Sequence, residues 1–142
     1  MRFICLLIFI FHTNLFASER ELPVGIFHGV SFLLEKNGVS IFSNKDVHYH
    51  KSTLQITKIT SNIYEFTIDV YLQQTPNSKA LSDTRVDRYK VIWRSETMGE
   101  LINERVDYEK ELSEFLLLGS NFTIKSLVSK SGIIETQTYK IE

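Results

Sequence analysis

Cysteine is almost absent from this chain of 142 residues, and its one example, Cys5, stands inside the first apolar run. A disulfide framework is therefore excluded, and so is a thiol nucleophile anywhere beyond the N-terminal segment. Glycine and proline are also scarce, at 6 and 2 residues, which leaves no material for a glycine-rich phosphate loop or a proline-rich linker. Charge of one sign is missing too: 16 basic residues face 17 acidic ones for a net charge of −1. The acids and bases are interspersed, so the chain offers no electrostatic footprint for nucleic acid or an anionic membrane. Long apolar runs are confined to one place, Phe3 to Phe11.

That run, preceded by Arg2 and followed by His12-Thr13-Asn14 and Leu15-Phe16-Ala17, has the three-part layout of an export signal over residues 1–17, cleaved after Ala17. At about nine residues it is less than half the roughly twenty that a membrane-spanning helix needs. Cys5 lies too early in it to be a lipidation site at the cleavage point. The expectation is a secreted or periplasmic protein with no stable membrane anchor, and a single domain over residues 18–142.

What remains is dominated by two-residue alternation and turn dipeptides, the signature of half-buried strands. Ile26, His28, Val30, Phe32 and Leu34 fall on one face of a first strand. Asn37-Gly38 follows, a dipeptide suited to the positive φ angles of a type I′ hairpin turn, and Val39 to Ser43 forms the return strand. Leu54 and Ile56 alternate within 52–60. Tyr64, Phe66, Ile68, Val70 and Leu72 then share one face against Glu65, Thr67, Asp69, Tyr71 and Gln73. Residues 75–83, with Pro76, Asn77 and no period, read as the longest loop. After it Tyr89, Val91 and Trp93 oppose Arg88, Lys90, Ile92 and Arg94, placing bases across from Glu65 and Asp69. Phe122, Ile124, Ser126 and Val128, the turn Ser131-Gly132 and the run Ile133 to Ile141 make a terminal hairpin.

Residues 98–118 support two readings. Thr97 to Glu100 fits a helix capping box, with Leu101, Arg105, Tyr108, Leu112 and Phe115 at helical spacing and Gly119 as a C-cap. Ile102, Glu104, Val106 and Tyr108 alternate as a strand instead, and Met98-Gly99 can fold back on Trp93. The strand reading is adopted because a continued meander closes the sheet, whereas one helix leaves two edges to protect. The fold class is thus mainly β, an antiparallel meander closing into a small lipocalin-like barrel of about eight strands. The alternative is α+β, with one helix around 98–118 packed on the sheet.

Gly25-Ile26-Phe27-His28-Gly29-Val30-Ser31 is similar to the first-strand G-x-W-x-G-x-G motif of the nitrobindin-like branch of the lipocalin and calycin barrels, with Phe27 for the tryptophan and Ser31 for the last glycine. The resemblance implies an up-and-down barrel whose mouth or interior holds a small apolar ligand. The haem of that branch is held by a late histidine; no histidine follows His50 here, and no cofactor is expected.

An eight-stranded barrel is either filled by its side chains or holds one small molecule. Phe32, Tyr64, Phe66, Ile68, Tyr89, Val91, Trp93 and Tyr139 are expected inside, as packed core or, for Phe32, Tyr64, Phe66, Tyr89 and Trp93, as the walls of a pocket for a hydrophobic or amphipathic molecule. His48 and His50 form a candidate metal pair, with His28 or Asp46 as a third ligand; exposed histidines are the plainer reading. No nucleophile elbow or zincin motif occurs, and Asp107 and Glu109 sit in an ordinary charged stretch, so no enzyme is expected. Asn121-Phe122-Thr123 is a glycosylation sequon. The partner expected is the small ligand or, in the alternative, another protein gripped through the domain's surface and the 75–83 loop.

Overall fold

In a computed structural model, residues 20–105, 112–128 and 130–141 are described. The leader, Val106, Asp107, Tyr108 and Glu109 lie outside these residues. Among the described residues nine antiparallel strands follow in chain order: β1 (Gly25–Lys36), β2 (Val39–Ser43), β3 (Tyr49–Lys58), β4 (Ile63–Gln73), β5 (Leu81–Trp93), β6 (Met98–Asn103), β7 (Leu112–Leu118), β8 (Asn121–Val128) and β9 (Ile133–Lys140). Each of β3 to β8 pairs with the next, β3 and β9 both pair with β1, and eight strands thereby close into a barrel. Closure satisfies the ladder hydrogen bonds that an open sheet would leave at two edges. The segment 98–118 is accordingly strand over 98–103 and 112–118, with β6 hairpinned onto β5 through the pair Trp93 and Gly99.

β2 stands apart from the ring. It pairs with the second half of β1, Leu33 to Lys36, whereas β3 pairs with the first, Gly25 to His28. The turn between β1 and β2 is Asn37-Gly38, with φ of 53° and 75°, the mirror-image turn that only residues tolerant of left-handed backbone adopt without strain. Between β2 and β3 a one-turn 3₁₀ helix, Asn44–Asp46, is capped by Ser43, whose backbone N–H and hydroxyl both donate to Asp46 Oδ2.

The face expected of β1 is corrected by its pairing. Gly29 lies opposite Tyr139 and Ser31 opposite Thr138, so Val30 is an extra residue without a partner on β9. Such a bulge inverts the alternation beyond it. Phe27 is buried before the bulge and Phe32 after it, while Ile26, His28 and Val30 face outward, with Ile26 64% exposed. An unbroken period of two had placed all of Ile26, His28, Val30, Phe32 and Leu34 on one side.

One half of the interior is densely apolar. Phe27, Leu54, Ile56, Tyr64, Phe66, Ile68, Tyr89, Val91, Leu101, Phe115, Phe122, Ile124 and Tyr139 form the cluster, together with Leu22 from the segment before β1. That segment seals the end of the barrel: the Leu22 N–H donates to the Tyr64 hydroxyl at 3.3 Å and the Trp93 indole N–H to the Arg20 carbonyl at 3.1 Å. Outside, the expected register holds at Glu65, which pairs with Arg88 at 2.9 Å. Asp69 lies opposite Thr84 instead and accepts its hydroxyl at 2.6 Å. Such exposed contacts fix register more than stability, contributing roughly 0.2–1 kcal/mol each.

Gly29, a residue of the first-strand motif, is required for space. A Cβ there meets the Ser52 Cβ at 2.6 Å and the Ser52 carbonyl at 3.2 Å, where β1 leaves β3. Gly29→Ala is expected to destabilise the fold by about 1–3 kcal/mol, the usual cost of overpacking, measured by urea unfolding. Ser52→Gly in the same chain should recover part of the loss; a double variant no better than the sum of the two single changes would refute the clash as the cause.

Candidate binding site at the barrel mouth

Beyond the apolar half, the inward positions become polar. Arg85 lies opposite Ile68 and Asp87 opposite Phe66, so both point inward from β5. On β9 the inward row is Glu135, Gln137 and Tyr139, opposite Ser126, Ile124 and Phe122. Arg85 Nη2 donates to Glu135 Oε1 at 2.9 Å. Counted either way round the ring, β5 and β9 are four strands apart, so this ion pair crosses the lumen. The amide of Gln137 donates to the same Glu135 oxygen, and the Tyr139 hydroxyl donates to Gln137 Oε1. The Ser52 hydroxyl adds a further hydrogen bond to Tyr139.

The electrostatics follow from this chain. Burial opposes the charge on Arg85, but the attraction and hydrogen bond of Glu135 outweigh it and hold the guanidinium above its ordinary pKa. The Tyr139 phenol is pushed up to about 12, first by burial and then by the nearby Glu135 charge, against the opposing effects of Ser52 and Arg85. Arg105 approaches Asp87 at 3.7 Å and Asn103 donates to the same Asp87 oxygen at 3.4 Å, completing a polar layer below the mouth.

At the mouth two hairpins flank a cavity of about 370 Å³ lined by Phe32, Leu34, Phe42, Leu72, Gln74, Lys79 and Leu81. Phe32 and Leu34 arrive there because of the bulge, and Phe42 because β2 lies beside them, its ring edge-on to Phe32 at 5.8 Å. The opposite wall is the β4–β5 hairpin, in which Leu72 faces Leu81 across the ladder. The connection between them is ordered from within: the Gln73 amide donates to the carbonyls of Pro76 and Ser78, and Ser78 bonds both the N–H and the carbonyl of Thr75. Its ladder resumes at Leu81, so 81–83, expected in the loop, belong to β5.

Of the ligand-wall candidates, Phe32 lines the cavity. Tyr64, Phe66, Tyr89 and Trp93 do not; they belong to the packed half, with Phe66 against Tyr89 at 5.1 Å and Trp93 edge-on to Phe115 at 4.9 Å. The metal candidates are dispersed. His48 is exposed in a bend before β3, His28 lies on the outside of β1, and Asp46 is taken up by the Ser43 cap. His50 turns inward opposite Leu72, its ring 6.2 Å from Phe32, and burial lowers its pKa. Its Nε2 is buried without a hydrogen-bond partner. Among the described residues no three His, Cys, Asp or Glu side chains gather as a metal set. Sequence reasoning missed Leu81, Phe42 and the Arg85–Glu135 pair; the signal for Leu81 was the alternation Leu81, Asp83, Arg85, Asp87, Tyr89, obscured because its three middle members are charged.

No protein-family model and no curated protein matches the chain. Among solved structures, a redesigned β-barrel is 11% identical over 84% of this chain and 90% of its own, with a TM-score of 0.48. A mutant of the fluorescent protein UnaG is 8% identical over 84% of this chain and 95% of its own, with a TM-score of 0.45.

Because the Tyr139 pKa rises from 10.0 to about 12 on folding, the fold favours the neutral phenol. The associated stability is complete below pH 10 and is lost as pH climbs from 10 towards 12. Tyr139→Phe should flatten that part of the stability–pH curve and delete a late-titrating component from the phenolate absorbance. An unchanged absorbance titration would show that Tyr139 ionises like an exposed tyrosine.

Proposed function

We propose that the protein is an exported, non-catalytic barrel that binds a small hydrophobic or amphipathic molecule in the mouth cavity. The observation carrying this reading is the lining itself: Phe32, Leu34, Phe42, Leu72 and Leu81 against only Gln74 and Lys79 at the polar edge. A concave space of about 370 Å³ with few polar groups falls in the size range of small-molecule sites. The apolar chain of a ligand is accommodated by the five hydrophobic side chains, and its polar end is left at the rim near Lys79 and Gln74. The lumen below is occupied by the Arg85–Glu135 pair, so the ligand sits at the mouth and not along the barrel axis.

The alternative, a protein-interaction module acting through 75–83, is less well supported. Gln74, Lys79 and Leu81 form a wall of the cavity, and the intervening turn is held by its own hydrogen bonds.

Titration with 1-anilinonaphthalene-8-sulfonate and with decanoate tests the reading. Phe42→Ala and Leu81→Glu, at a half-buried and a 63% exposed position, should each weaken binding by about tenfold or more, the equivalent of about 1.4 kcal/mol and within the worth of one buried apolar side chain. Native mass spectrometry of protein from its own host should show an added small mass. Consistent recovery of empty protein, or probe affinities untouched by both substitutions, would overturn the proposal.

A further inference from the structure

The outside of a closed barrel is convex, so a concavity there has to be built from differences in side-chain size. One exists on the outer face of β3, β4 and β5: a groove of about 520 Å³ lined by Tyr49, Lys51, Thr53, Asp69, Tyr71 and Thr84, with Val70, Ser82 and Asp83 at its edge. The register aligns these in rows. Lys51, Tyr71 and Ser82 lie side by side across the three strands, as do Thr53, Asp69 and Thr84. Tyr49 sits diagonal to Tyr71, the two rings edge-to-face at 5.4 Å. Large side chains thus stand beside short hydroxyl residues.

We infer that this groove is a second binding site, for a neutral oligosaccharide. The argument is chemical complementarity. A pyranose ring offers an apolar C–H face to an aromatic ring and a belt of hydroxyls to donors and acceptors, and the groove supplies both. Tyr49 is 48% exposed, so an aromatic surface is presented to solvent. Asp69 accepts the Thr84 hydroxyl through Oδ1, which leaves Oδ2 to accept from a sugar hydroxyl. Among the described residues Lys51 has no ion-pair partner, and its ammonium donates to ring or linkage oxygens. Charge decides against other ligand classes. Lys51 balances Asp69, and Asp83 lies 3.9 Å from Arg85, which it shares with Glu135, so the lining carries at most one net negative charge, which repels an anion and is too little to hold a cation. The hydroxyls and charges lining it disfavour a purely apolar guest, because each would be desolvated without a partner.

The groove is separate from the mouth cavity although the same strands build both. Tyr71 and Ser82 face outward where their neighbours Leu72 and Leu81 face inward. The two sites are therefore independently testable. The protein should bind at least one neutral oligosaccharide on an array of gluco-, manno-, galacto- and N-acetylglucosamine chains. Titrating the best trisaccharide into ¹⁵N-labelled protein should shift amides within 49–53, 69–71 and 82–84. Tyr71→Ala should weaken that binding about tenfold, the loss of one ring contact, while Tyr71→Phe retains it and both variants bind 1-anilinonaphthalene-8-sulfonate at the mouth as before. Absence of binding to every neutral oligosaccharide, shifts centred on Phe42 and Leu81 instead, or a Tyr71→Ala variant that binds like the parent would each overturn the inference.

Discussion

The charged bar from Arg85 to Glu135 sets the limit of everything else in this barrel. Eight strands enclose a lumen that side chains can just fill, and here one half is filled. The other half cannot be, because a guanidinium and a carboxylate meet across it and neither tolerates a dry apolar surrounding. Their side chains remain 38% and 20% exposed, so they sit where water still reaches. At that exposure the pair contributes little net stability, but it fixes position. Below it Tyr139, Gln137 and Ser52 link it to the core by hydrogen bonds; above it the interior is free to be a site.

A single extra residue then decides what the site is made of. Without the bulge at Val30, Phe32 and Leu34 would point outward and the cavity would lose a wall. The same irregularity lets β1 exchange partners, from β3 to β2, and brings Phe42 alongside Phe32. Gly29 is the residue that allows β1 to pass Ser52 closely at the crossing point. The short first-strand motif is therefore a structural device: Phe27 belongs to the core and Gly29 to the crossing, and neither touches the cavity.

These features separate what alternation reveals from what it hides. The β4 face of Tyr64, Phe66, Ile68, Val70 and Leu72 was legible because four of its five residues are buried whereas none on the opposite face is. The Asn37-Gly38 turn was legible because few other dipeptides accept its backbone angles. The bulge was not, since a period-two pattern carries no mark of an inserted residue when Ile26, Val30, Phe32 and Leu34 are all apolar. The polar layer was hidden by the opposite circumstance: Asp83, Arg85 and Glu135 are polar on the inside, and a rule that equates inward with apolar assigns them to loops or to solvent. The Leu22 plug was hidden because a lone apolar residue before a strand has no periodicity at all. The site was thus read into the packed half, among Tyr64, Phe66, Tyr89 and Trp93, for the sound reason that bulky aromatics mark the interior. Bulk alone does not distinguish a core that is full from a mouth that is open.

The wall between β4 and β5 shows why the open end can carry binding surfaces without disturbing the fold. Its ladder alternates Leu72 with Leu81 inside and Tyr71 with Ser82 outside, as neighbouring pairs of one antiparallel register. Backbone pairing is indifferent to which side chains project from it, provided that the inward residues do not overfill the lumen. Near the sealed end that proviso is strict, because every inward position touches the packed cluster. Near the mouth it relaxes, because Leu72 and Leu81 border empty space. Side chains are therefore constrained by packing at one end of each strand and available for recognition at the other, and the polar bar is where the first regime gives way to the second.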